Sequence, residues 1–247
     1  MGAAFPGTRA VFRGHDLHHD LRDLDWMALY LFGITGRQHT PEQIRMLHAI
    51  WVYTSYPDAR LWNNRVAALA GSVRSTPPLA MAAALAVSEA QVYGGQAGVR
   101  AMSFFLRTKA AVDAGADLVE WVNAEAEQRH ILGYGRPIDS TDERIYWLHQ
   151  RAQALGLAEG PYLRLAFQVE QILLARRPHL RMNNAAYTAA LCADMGMDVG
   201  EFHLFRVPLF LAGMPPCYVE ARERPEATLL PLSCSDIHYE GVTARRW

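Results

Sequence analysis

The stretch GYGRPIDSTDERI, Gly133 to Ile145, sets two glycines around a tyrosine, follows them with Arg-Pro and a polar loop, and ends on the charged run Asp142-Glu143-Arg144. Glycine permits backbone turns that a Cβ forbids and lets a ligand come close to the main chain. Arg136 and Arg144 bring two fixed positive charges into one short segment, and an anion or a carboxylate partner has to offset their repulsion. Taken alone, the stretch is also readable as a plain connection in which Arg144 pairs with Asp142 or Glu143. Its place in the order of the chain's other segments decides between fold classes.

Outward from that stretch, helical periodicity dominates. DLDWMALYLFGITGR carries apolar residues at three- and four-residue steps and stops at Gly36. Thr40 and Pro41 fit the N-cap and first turn of PEQIRMLHAIWVY, with Glu42 in that turn. The Ala-rich PLAMAAALAVSEAQVY runs to Gly94-Gly95, which reads as a helix C-cap and turn, or as a loop that lets a ligand pass. VRAMSFFLRTKAAV and DLVEWVNAEAEQRH follow as helices. Thr141 can cap DERIYWLHQRAQAL, which stops at Gly156, and PYLRLAFQVEQILLARR starts with a proline. Asn183 can cap NAAYTAALCADMG, and VGEFHLFRVPLFLAG comes next. Only the tail, ATLLPLSCSDIHYEG, suggests short extended pieces. The fold class read here is all-α.

The 247 residues, 51% hydrophobic and with a formal net charge of −1, suffice for a sizeable core. Near-neutral charge without a basic run argues against a nucleic-acid partner. Cys192, Cys217 and Cys234 are too widely spaced for a disulfide framework or a zinc pattern, which suits a reducing cytoplasm. The opening residues lack the apolar core of a signal peptide, and PPLAMAAALAV is too short to span a bilayer. The expectation is a cytoplasmic protein with no membrane partner. His15, His18 and His19 lack the paired helical spacing of a metal site, so solvated or capping histidines are expected and no metal ligand is assigned.

YGGQAG (Tyr93–Gly98), GYGRPIDSTDERI and NNAAYTAAL (Asn183–Leu191), in this order and spacing, resemble the citrate synthase superfamily, above all its short citryl-CoA lyase-like members. RGHDLHHDLRDLDWMALYLFGITGR near the start and RERPEATLLPLSCSDIHYEGVTAR near the end extend the resemblance over nearly the whole chain. It implies a large helical domain, residues 1–92 with 192–247, and a smaller inserted helical domain, 93–191. It also implies a homodimer, a small carboxylate or acyl-CoA partner, a coenzyme A thioester as substrate, and no tightly bound cofactor.

The departures from the family's pattern bear on chemistry. The His of the family's His-Gly-Gly-Ala turn, which hydrogen-bonds the thioester carbonyl as it enolises, is matched by Tyr93. The His of Gly-x-Gly-His-Pro, which polarises the keto acid, is matched by Arg136, and the general base of Asn-Val-Asp by Ala185. Arg144 occupies the place of the Arg in Asp-Pro-Arg. The resemblance thus assigns Tyr93 and Arg136 as catalytic, Arg144, Asn183 and Asn184 as substrate-binding, and Gly94, Gly95, Gly133 and Gly135 as cofactor-binding. A Claisen-type reaction needs a base and hydrogen bonds where enolate charge develops. Alanine supplies no base, and losing one such group costs on the order of a hundred- to ten-thousand-fold. Ordinary citrate synthase activity is therefore not expected. Three readings follow: a diverged enzyme with a rearranged catalytic set, its base open between Glu89 and His203; a silent member that binds a ligand or regulates an active relative; and a helical protein with a vestigial pocket.

Overall fold

The computed structural model describes residues 1–91, 94–136, 141–229, 235 and 240–242. Three short antiparallel strands open the chain, β1 (Gly2–Phe5), β2 (Arg9–Phe12) and β3 (His15–Asp16), with Gly2 opposite Phe12 and Val11 opposite Asp16. Then come α1 (Trp26–Thr35), α2 (Pro41–Thr54), α3 (Trp62–Ser72), α4 (Pro77–Ser88), α5 (Gly95–Asp113), α6 (Leu118–Gln128), α7 (Glu143–Ala154), α8 (Pro161–Arg176), α9 (Asn184–Asp194), α10 (Val199–Leu211) and α11 (Met214–Glu223). The helical expectation holds, and the N-terminal sheet is an addition to it. β1 is exposed along its length, so no alternation of apolar residues marks it. The extended pieces expected in the tail fall mostly outside the described residues. No described helix is long and apolar enough to cross a membrane.

Two compact units are present: Met1–Tyr56 with Val87–Ala212, and Pro57–Ala86 with Gly213–Trp247. Within the first α2 packs on α7 and α10, and within the second α3 packs on α11. In the second unit a Cβ at Gly71 would collide with the Tyr218 carbonyl, so α3 and α11 approach to backbone contact there. Ala68, Cys217 and Ala221 form its small core.

The first unit is built around α9. Every residue from Ala186 to Ala193 is buried, as an alanine-rich helix enclosed on all sides requires. α5 and α8 pack against it, and Tyr187, Phe105, Phe202 and Phe205 are among the largest fully buried side chains. Cys192 lies in this core, and burial pushes its thiol up. α8 begins without a capping side chain of its own. Gly160 leaves room there for the Asp194 carboxylate, which accepts from the Tyr162 and Leu163 N–H groups at 2.8 and 2.9 Å.

Two expected helix boundaries need correction. The Ala-rich helix ends at Ser88, not at the glycine pair, and Gly94 is the N-cap of α5 rather than a C-cap. A Cβ at Gly94 would run into the backbone of Ser88 and Ala90, so the reversal between the two helices admits only glycine. Asp142 rather than Thr141 caps α7, its carboxylate accepting from the Arg144 N–H at 3.2 Å.

α10 holds Pro208 in its interior. Proline has no N–H to give the carbonyl four residues back. The Tyr30 hydroxyl, on α1, donates to that carbonyl, of Leu204, at 2.8 Å. Tyr30→Phe is expected to destabilise the fold by about 0.5–1.5 kcal/mol. The cost should shrink when Pro208→Ala restores the helical N–H, and a double-mutant cycle of denaturant melts measures that coupling.

Candidate functional site

The site grows from one carboxylate. Asp142 has a fully buried side chain. It accepts from Arg144 Nε and Nη2 at 2.8 and 2.7 Å and from the Asn184 N–H, the first of α9, at 2.8 Å. Burial pushes this carboxyl up, but the Arg144 guanidinium and the two N–H groups outweigh burial and hold it below its ordinary value. Burial likewise disfavours the Arg144 charge, and Asp142 more than restores it. A paired fork of this kind fixes orientation as well as charge.

Arg144 lies over the Tyr56 ring, 5.4 Å from its centroid. The Tyr56 hydroxyl donates to Glu143 Oε1 at 2.9 Å, and partial burial, then Glu143, push the phenol up to about 12. Arg136 Nη1 donates at 2.9 Å both to Glu143 Oε2 and to the Thr141 carbonyl. The two arginines therefore do share one segment, yet each already faces a carboxylate. An incoming anion has to join or displace Asp142 and Glu143. Arg144 pairs with Asp142 as the plainest sequence reading allowed. Tyr56, far away in sequence, gave no signal at all.

The glycines on either side of Tyr134 serve the backbone. Gly133 and Gly135 have φ of 98° and 84°. The Gly133 carbonyl accepts from the Asn183 N–H at 2.9 Å, and the Gly135 N–H donates to the Arg181 carbonyl at 2.7 Å. Asn183 completes this clamp, with Nδ2 donating to the Gly135 carbonyl at 2.8 Å and Oδ1 accepting from the Ala185 N–H at 2.9 Å. It is the N-cap of α9, as its residue type suggested. Asn184 turns its backbone N–H to Asp142, while its Oδ1 is buried without a hydrogen-bond partner. Tyr93 lies outside the described residues, as do residues 137–140. Gly94 and Gly95 form the start of α5, where Gly94 packs on the chain after α4 and Gly95 faces the Glu89 carboxylate.

Sequence reasoning also missed Arg206. It is only 8% exposed, its Nε has no hydrogen-bond partner, and it sits between the Phe202 and Phe210 rings at 5.6 and 5.2 Å. Burial pulls the guanidinium down to about 10. An arginine inside the apolar run EFHLFRVPLFLAG was the visible signal. Of the early histidines, His18 and His19 give their backbone N–H groups to Asp16, and His15 sets its ring edge on Phe32. Among the described residues no three His, Cys, Asp or Glu side chains converge to hold a metal.

Residues 3–213 match the family of the citrate synthase C-terminal domain. No curated protein sequence matches the chain. Among solved structures, citryl-CoA lyase from Hydrogenobacter thermophilus superposes with a TM-score of 0.82 and 22% identity over 100% of this chain and 95% of that one. ATP citrate lyase from Methanothrix soehngenii, in complex with citrate and coenzyme A, gives 0.76 and 16% over 98% of this chain and 41% of that one. Citrate synthase from Thermotoga maritima gives 0.70 and 18% over 92% and 60%. At these identities the likeness is one of fold.

Asp142→Asn should cost about 3 kcal/mol of stability, because Arg144 loses a buried counter-charge. In the unchanged protein the Asp142 contribution is complete above its unfolded value of 3.8 and is lost as pH falls through the lower folded value. Urea melts of both proteins between pH 7 and pH 2 check this. The gap between them should close toward the acid end.

Proposed function

Since the chain belongs to the citrate synthase family, we propose that it forms or cleaves a carbon–carbon bond in an acyl-CoA or related small carboxylate, with a catalytic set other than that of an ordinary citrate synthase. The observation that carries this reading is Arg144, held by the buried Asp142 fork at the point where α7 and α9 begin, where the family resemblance expects carboxylate recognition. Citrate and coenzyme A in the Methanothrix relative support the same ligand class. By motif order Arg136 and Tyr93 take the places of two family histidines, and Asn183 and Asn184 stand at the head of α9. The family's lobes, 1–92 with 192–247 against 93–191, and its homodimer belong to this proposal. A monomer in light scattering at micromolar concentration would count against the dimer.

One observation favours a second reading. Ala185, at the start of α9, offers no titratable group where the family has its base. A catalytically silent member that binds a carboxylate or coenzyme A ligand, or regulates an active relative, would look the same there.

Acetyl-CoA with oxaloacetate is expected to yield no citrate at a useful rate, as read by thiol release at high protein concentration. A wider screen of acyl-CoA substrates and carboxylates separates the two readings. Turnover that Tyr93→Phe abolishes supports the enzyme, and ligand-induced thermal stabilisation without turnover supports the binder. In either case Arg136→Ala should weaken carboxylate binding at least about tenfold. Arg136→Lys should restore it only in part, since the fork geometry is lost. Unchanged titration curves for Arg136→Ala would remove that residue from the site.

A further inference from the structure

A second polar cluster lies at the head of α5. Glu89 directly follows the last residue of α4. Its carboxylate accepts from His203 Nε2, on α10, at 2.9 Å and from the Gln96 side-chain amide. The His203 and Glu89 side chains are 41% and 43% exposed, open to a ligand. A Cβ at Gly95 would collide with this carboxylate, and a Cβ at Gly98 would collide with the Arg206 guanidinium. Positions three apart share a helix face about 4.5 Å along the axis. One bare face of α5 therefore carries a carboxylate at its first turn and a guanidinium at the next. That guanidinium is more than nine-tenths buried, and its Nε has no partner.

A capping role does not account for Glu89. Asp194, placed over Gly160 in a comparable way, gives both oxygens to backbone N–H groups of α8. Glu89 instead bonds the side chains of His203 and Gln96, and α5 has no side-chain cap bond at its N-cap. Nor is the cluster remote from the arginine site, since Arg206 lies close enough to both Glu89 and Arg144 for their charges to act on it.

We propose that Glu89 is the proton acceptor of this chain, taking the proton from the carbon next to the thioester carbonyl of a bound acyl-CoA, with His203 as its positioning residue and Arg206 as the fixed charge facing the enolate. This rests on the acyl-CoA reading above. The C–H bond breaks, its electron pair becomes the enolate, and the proton forms an O–H bond on Glu89, from which it returns to carbon or exchanges with solvent. No other reactant is needed. Partial burial pushes the Glu89 carboxyl up, but the bonds from His203 and Gln96 and the charges of His203 and Arg206 hold it below its ordinary value. It is thus ionised at neutral pH, the form a base must have.

The test is deuterium uptake into the acetyl group of acetyl-CoA in heavy water, read by mass spectrometry, beside calorimetric acetyl-CoA binding. The unchanged protein should exchange the methyl protons. Glu89→Gln should slow exchange at least about a hundredfold while binding changes little. Glu89→Asp should keep part of the rate, and His203→Gln should lower the rate more than the affinity. Equal exchange by Glu89→Gln and the unchanged protein overturns the proposal and leaves the acyl-CoA reading standing. Binding without exchange by the unchanged protein also overturns it. Absence of acetyl-CoA binding removes both. Should Glu89→Gln melt early, the Glu89→Asp and His203→Gln rates carry the decision, and full exchange in both overturns the proposal.

Discussion

A single buried carboxylate organises the first unit. Asp142 caps α7 and takes the first N–H of α9, so two helix starts meet on one side chain. A carboxylate is acceptor-only, with lone pairs enough for several donors. Arg144 supplies the charge that makes its burial tolerable, and the fork in turn fixes where Arg144 points. From there the network runs through Tyr56 to Glu143 and on to Arg136. The same anchor sets the start of α9, the helix on which α5 and α8 pack. The site and the core therefore share one anchor at the head of α9.

Much of the helical order was legible along the chain. Thr40 with Pro41, Asn183 and Gly156 mark helix ends by chemistry that acts within a few residues, and they did so here. The errors came where a local rule has two solutions. A glycine pair after an alanine run looks like a C-cap. It is the start of α5 because the chain after α4 comes against Gly94, a tertiary fact with no local trace. Thr141 and Asp142 are both capping residues, and Asp142 was selected by Arg144 and Asn184, one of them distant in sequence. The same holds for the site. Arg136 and Arg144 stand out as charges, but Tyr56 comes from just beyond α2, and the Glu89–His203 pair joins residues 114 apart in sequence.

Missing side chains do as much here as present ones. Gly95, Gly98 and Gly160 each leave a space that a charged head group fills against a helix. Two outcomes follow from that one device. At Gly160 the carboxylate is spent on backbone donors, and its burial pushes Asp194 up. At Gly95 the Glu89 carboxylate takes side-chain donors instead, and at Gly98 the Arg206 Nε has no hydrogen-bond partner. The bare face of α5 is therefore unlike an ordinary packing surface. It carries both signs of charge within one turn, and its glycines put no methyl group in the way.

Cys192 and Cys217, both buried, give the molecule a readout of its own. Cys192 belongs to the core of the first unit and Cys217 to that of the second, and burial raises both thiols. A thiolate is the species that alkylating reagents attack. Each of these cysteines is thus silent until its own unit opens, and labelling rate becomes a measure of local opening. Peptide mapping after timed alkylation would rank the two units by resistance without any engineered probe. A ligand that tightens one unit would slow the labelling of its cysteine alone.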